Sequence, residues 1–177
     1  MLRRMDMRTE MTEDPMPVAL TAAGPDPERR DKLDLYGQLV GVWDVDNRYL
    51  DPADGRWHNG TVVWAFGWIL DGHAVQDVMR FRFKDGSTPT GTTMRLLDPA
   101  TDSWHVVWFP QSGRVCTLVG RRAPDGIHQE GTQPDGRPIK WIFTEITADS
   151  FRWLGYVRDG DGSDWRLEQE MRATRRR

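Results

Sequence analysis

From Gly41 to Thr174 apolar and polar side chains alternate in short runs, and turn residues separate the runs. A period of two is the pattern of a half-buried strand. Asp-Gly punctuates it seven times, at Asp54-Gly55, Asp71-Gly72, Asp85-Gly86, Asp125-Gly126, Asp135-Gly136, Asp159-Gly160 and Asp161-Gly162, the last two within one reversal. The dipeptide tolerates the positive φ that twisted hairpins demand. With further breaks at 99–103, 111–113 and 148–150, nine reversals separate ten predicted strands: 41–50, 57–70, 73–84, 90–97, 103–109, 114–122, 126–132, 138–146, 150–158 and 164–174. No connection is long enough for a crossover helix, so successive strands run antiparallel as a meander. Ahead of them Leu33, Leu35, Tyr36 and Leu39 fall close to helical spacing. They predict one short helix over 28–39, with Pro27 suited to its first turn.

Such a meander leaves two unpaired edges unless it curls and joins its ends. The expected fold is therefore all-β: a ten-stranded antiparallel up-and-down barrel with one short N-terminal helix, a two-sheet sandwich being the competitor. Residues 1–27, rich in proline, read as a flexible arm, 28–174 as a single barrel domain, and 175–177 as a basic tail.

Alternation also sorts the side chains by face. Trp43, Val45, Asn47 and Tyr49 share one face of the first strand, and Val62, Trp64, Phe66, Trp68 and Leu70 share one of the second. His73, Val75, Asp77, Met79, Phe81 and Phe83 align on the third, Trp104, Val106 and Trp108 on the fifth. Ile139, Trp141 and Phe143 align on the eighth, ending at Glu145. Phe151, Trp153 and Val157 follow on the ninth, and Trp165, Leu167, Gln169 and Met171 on the tenth. If these faces converge, the interior is a tryptophan-rich wall with a few polar groups, the composition of a ligand pocket. The alternative is that the rings simply fill a core.

Gly41-Val42-Trp43 at the start of the first strand, just after a short helix, resembles the Gly-x-Trp signature of the lipocalins. The ten-strand meander is closer to the fatty-acid-binding and nitrobindin branches of the same calycin superfamily, and the stretch from Gly41 to Thr174 resembles uncharacterised bacterial lipocalin-like domains. The resemblance implies that Trp43 closes a barrel floor under an arginine from the last strand, with Arg172 or Arg166 as the candidate. Two features of those branches are missing. No histidine follows His128 to ligate a nitrobindin haem, and the Arg-x-Tyr carboxylate clamp is absent from Trp165 to Arg172.

Composition narrows the chemistry. The 177 residues fit one domain. Nine tryptophans against six phenylalanines and three tyrosines is an unusual aromatic balance. Cys116 is the single cysteine, which excludes an internal disulfide and a multi-cysteine metal site; mid-strand, it reads as a buried inert thiol. A net charge of −3 argues against nucleic acid. His58, His73, His105 and His128 lack ligand spacing, and the calcium-like run from Asp159 has Asp164 where glycine is needed, so no metal is expected. No cofactor is expected either. Arg3 and Arg4 are followed by Asp6 and Glu10 rather than an apolar core, so neither a signal peptide nor a membrane span is expected, and the location expected is cytoplasmic. Five of the eight methionines lie in the first sixteen residues, which leaves the true start methionine open.

The candidate ligand-binding residues are Trp64, Phe66, Trp68, Met79, Phe81, Trp104, Trp108, Trp141, Phe143 and Trp153, with polar support from Tyr49, Asn47, Gln169 and Glu145. Asp77 stands out, a carboxylate between Val75 and Met79 on an apolar face: either an acid/base group or an anchor for a ligand hydroxyl or amine, with His73 on the same face, or a structural aspartate bonded to a neighbouring arginine or tryptophan N–H. Arg95, between Met94 and Leu96, is expected to face outward. Three functions follow. The first is binding of a small hydrophobic, aromatic or polycyclic molecule. The second is a cofactor-independent isomerase, cyclase or lyase with Asp77 as acid/base. The third is a filled module that binds a protein partner. An exposed Trp57 or Trp165 would support a homodimer.

Overall fold

The structure, a computed structural model, describes residues 15–160 and 162–177. Helix α1 (Pro15–Leu20) leads into a two-residue strand β1 (Thr21–Ala22), a 3-10 turn (Pro27–Arg29) and helix α2 (Arg30–Gly37). Ten long strands follow: β2 (Gly41–Asp51), β3 (Arg56–Ile69), β4 (Ala74–Arg82), β5 (Thr90–Asp98), β6 (Ser103–Pro110), β7 (Cys116–Ala123), β8 (Gly126–Thr132), β9 (Pro138–Thr144), β10 (Ser150–Val157) and β11 (Arg166–Arg175). Each pairs antiparallel with the next, and β11 pairs with β2 from Gln169 opposite Tyr49 to Arg175 opposite Trp43. The sheet therefore meets itself as an up-and-down barrel, and the sandwich is excluded.

The turn chemistry works as the sequence implies. Gly55, Gly72, Gly86 and Gly136 take φ between +67° and +84°. The preceding aspartates Asp54, Asp85 and Asp135 accept the backbone N–H two residues on, from Arg56, Ser87 and Arg137.

One end of the barrel is plugged. Helix α2 lies across it and buries Leu33, Leu35 and Tyr36, with Leu39 just beyond. The Tyr36 ring meets Trp104 edge-on at 4.8 Å and Phe143 at 6.4 Å. Its hydroxyl fits only because Gly120 has no side chain, since a Cβ there would lie 2.2 Å from the oxygen. Trp43 donates its indole N–H to the Leu39 carbonyl at 2.8 Å. The arginine over Trp43 is Arg175, 4.0 Å from the ring centroid, rather than Arg172 or Arg166. Arg172 instead turns outward to Glu170, and Arg166 sits at the far end with Glu168 and Asp159. The Arg175 guanidinium also donates to the carbonyls of Val40, Gln38 and Ala148, strapping α2 and the β9–β10 turn together. It passes Gly41, whose φ of +136° and missing side chain leave it room; a Cβ would stand 2.3 Å from its nitrogen. Arg175 is thus a structural member of the last strand rather than tail.

Several expectations need correction. Ahead of the barrel, β1 pairs Thr21 with Ile69 and Ala22 with Trp68, along the part of β3 that β2 leaves uncovered, a pairing the alternation does not predict. Unpaired strand backbone is a liability that such a pairing removes. Residues 1–14, with Arg3 and Arg4, lie outside the described residues, as does Asp161. Leu70 is exposed with φ of +52°, because the hairpin reversal begins there and breaks the alternation. On β11 a bulge puts Gly155 opposite Gln169 but Tyr156 opposite Leu167, so the phase slips at Glu168 and Leu167 joins the outward face. Among the described residues no helix is long and apolar enough to cross a membrane.

Candidate functional site

The lower interior is solid. Trp43, Trp64, Phe66, Phe143 and Phe151 interlock with ring centroids 4.7–6.4 Å apart. Trp68 packs on Gly37 of α2, and Trp104 on Tyr36. Phe66, Trp68, Trp104 and Phe143, candidates for the wall of a cavity, thus pack beneath it, because the helix plug and its ring of aromatics occupy that volume.

Above this floor is a small cavity of about 80 Å³. Four indoles, Trp64, Trp108, Trp141 and Trp153, form its sides, with Met79, Phe81 and Met171 between them. Its polar groups are Thr93, Arg95 and Gln169. It adjoins a vestibule of about 290 Å³ toward the open end, and Trp108, Trp141, Trp153 and Gln169 line both. Trp108, which stands opposite Thr93, lays its ring over Gly91 two residues along β5, where a Cβ would lie 2.0 Å from the ring. Cys116 lines the vestibule, and burial pushes its thiol pKa up. A larger depression of about 550 Å³ on the outer wall is edged by Asp46, Arg48, Glu170 and Arg172 and has no aromatic side.

Arg95 faces inward, contrary to expectation. Met94 and Leu96 on either side are the exposed ones, 37% and 42%, so their apolar character misleads. What turns Arg95 in is Asp77 on the neighbouring strand. The two side chains are buried, and an Arg95 Nη1 lies 2.6 Å from Asp77 Oδ2. The other carboxylate oxygen accepts the Thr93 N–H at 3.1 Å, since Thr93 stands directly opposite Asp77 in the ladder. The guanidinium is further enclosed by Tyr36, Phe66 and Phe143, at 5.3–5.8 Å from their ring centroids. Asp77 is thus bonded to an arginine, and Arg95 rather than Asp77 lines the cavity. The signal available in the sequence was the carboxylate itself: a buried Asp needs a cation, and Arg95 sits one hairpin away.

The remaining candidates spread out. Gln169 donates to Asn47 Oδ1 at 2.8 Å, so Asn47 supports the wall from behind. Tyr49 lies higher, edge-on to Phe83 at 4.8 Å. His73 is exposed at the plugged end, 3.5 Å from Asp26, and is not brought near Asp77's cavity. Glu145 is exposed on the β9–β10 reversal with φ of +52°, paired to Arg152 at 3.1 Å, because strand β9 ends before it. Trp57 and Trp165 are half-buried; Arg48 covers the first, and Lys140 and Arg158 lie over the second. At the open end Asp51, Asp54 and His58 gather closely enough to suit a cation, although Lys84 already reaches both His58 and Asp54.

No protein-family model matches this chain, and no curated protein does. Among solved structures it is similar to Rv2717c from M. tuberculosis, with 17% identity, 86% of this chain and 99% of that chain covered, and a TM-score of 0.64. A weaker likeness, TM-score 0.42 and 16% identity over 78% of this chain and 99% of that one, is to a redesigned β-barrel, mFAP0, bound to DFHBI. The likeness to Rv2717c is one of fold.

Proposed function

We propose that this barrel binds a small hydrophobic aromatic molecule through its open end. The observation that carries the reading is the four-indole cavity opening into a vestibule that shares three of those indoles. Apolar walls with a few fixed polar groups are what small-molecule sites share, and they usually span roughly 300–1,000 Å³. The inner cavity alone is smaller than the roughly 150 Å³ that admits benzene. The guest therefore rests its ring system in the vestibule and sends one edge inward. Catalysis by Asp77 is the less favoured reading, since both its oxygens are engaged, by Thr93 and Arg95.

Titration with 1-acetonaphthone tests this. Saturable quenching of tryptophan fluorescence is expected, with loss of the quenching in Trp141→Ala. Absence of saturable binding by any two-ring aromatic would end the proposal. Native mass spectrometry of the freshly purified protein is expected to retain a molecule of the same class.

A further inference from the structure

The polar atoms left over around the cavity have a common sense. Arg95 Nε and Trp64 Nε1 are buried N–H groups with no acceptor among the described residues. Both belong to residues at least 98% buried, Arg95 2% and Trp64 1% exposed, and both line the same cavity. Neither nitrogen can be reassigned as an acceptor, unlike an amide side chain. A buried donor without a partner is costly, and native structures rarely leave one unmet.

The charges, in contrast, are already matched. Arg95 has Asp77. In the vestibule Glu168 has Arg166 at 2.7 Å, and Arg114 has Asp135 at 3.8 Å. A second buried anion would therefore face Asp77 with no cation of its own, at a heavy desolvation cost. What remains to be filled is a demand for a neutral oxygen acceptor, in a space the size of a carbonyl and its neighbouring carbons.

Resting on the binding reading above, we infer that the guest is a neutral carbonyl-bearing aromatic, such as an aryl ketone, lactone or amide, whose oxygen enters first and accepts from Arg95 Nε–H and Trp64 Nε1–H. The ring system stays in the vestibule against Trp108, Trp141 and Trp153.

The experiment compares three probes of one size by calorimetry on the full chain: 1-acetonaphthone, 1-ethylnaphthalene and 1-naphthoate. The ketone is expected to bind about tenfold or more tighter than the hydrocarbon, the difference one or two recovered hydrogen bonds make. The naphthoate is expected to bind no better than the hydrocarbon. Trp64→Phe, which removes the indole N–H together with part of the ring, is expected to weaken the ketone several-fold more than it weakens the hydrocarbon. Should that variant not fold, the indole N–H resonance of Trp64 in the wild-type protein serves instead, shifting downfield with ketone and not with hydrocarbon. Equal affinity of ketone and hydrocarbon overturns the inference while leaving the binding reading intact. Preference for naphthoate overturns the neutral guest. Failure of all three probes overturns the binding reading itself.

Discussion

Arg95 and Asp77 form the only buried ion pair among the described residues, with side-chain exposures of 2% and 0%. Removing one partner of such a pair leaves the other charged and unmatched, at about 3–5 kcal/mol, whereas replacing both by apolar groups is often close to neutral. Arg95→Met is therefore expected to lose most of that amount in urea unfolding, and Arg95→Met with Asp77→Leu to recover much of it. A double variant no more stable than the single one would mean that the arginine matters for its packing against Tyr36, Phe66 and Phe143 and not for its charge. The pair was half legible. A lone Asp on an apolar strand face announces a missing cation, but Arg95 sits between Met94 and Leu96, and alternation alone assigns it to the wrong side.

At the scale of elements, helix α2 does the work that a second sheet does in a sandwich. It carries one titratable group into the core: the Tyr36 phenol, whose pKa burial raises, with the Arg95 charge and the Gln129 hydrogen bond opposing the shift. A free tyrosine ionises near pH ~10. Because the folded value is higher, the unfolded chain gives up its proton first. The stabilisation is complete below about pH 10 and is lost as pH rises beyond it. Tyr36→Phe is expected to cost about 1 kcal/mol at pH 7, through the lost 3.2 Å bond to Gln129. It is also expected to flatten the decline in urea midpoint between pH 8 and pH 11; equal declines in both proteins would contradict this. The strands were readable because Asp-Gly reversals and two-residue alternation are local signals. Helix α1, strand β1 and the Arg175 strap were not. Their partners, Ile69, Trp68 and Trp43, lie far away in sequence, so nothing local marks them.

Considered whole, the molecule is a barrel filled from one end and hollow only toward the other. This is also why part of the site escaped the sequence: alternation tells inside from outside, but it does not tell height along the axis. Phe66, Trp104 and Phe143 share the inward face with Trp64, Trp108 and Trp141, yet only the latter three reach the cavity. Cys116 reports on the hollow end, since it lines the vestibule. With 1-acetonaphthone at ten times its Kd, alkylation of this thiol by iodoacetamide is expected to slow about tenfold, in proportion to the fraction of barrels left free. An unchanged rate would place the guest elsewhere.

The strap from Arg175 and the wedge of α2 confine the demands of folding to a single pole. The five hairpins at the opposite rim bury little and hold little together, so their length and composition are free to drift. A duplicated gene could thus acquire a new preference by altering five short turns, while the ring of strands and its sealed base are inherited unchanged.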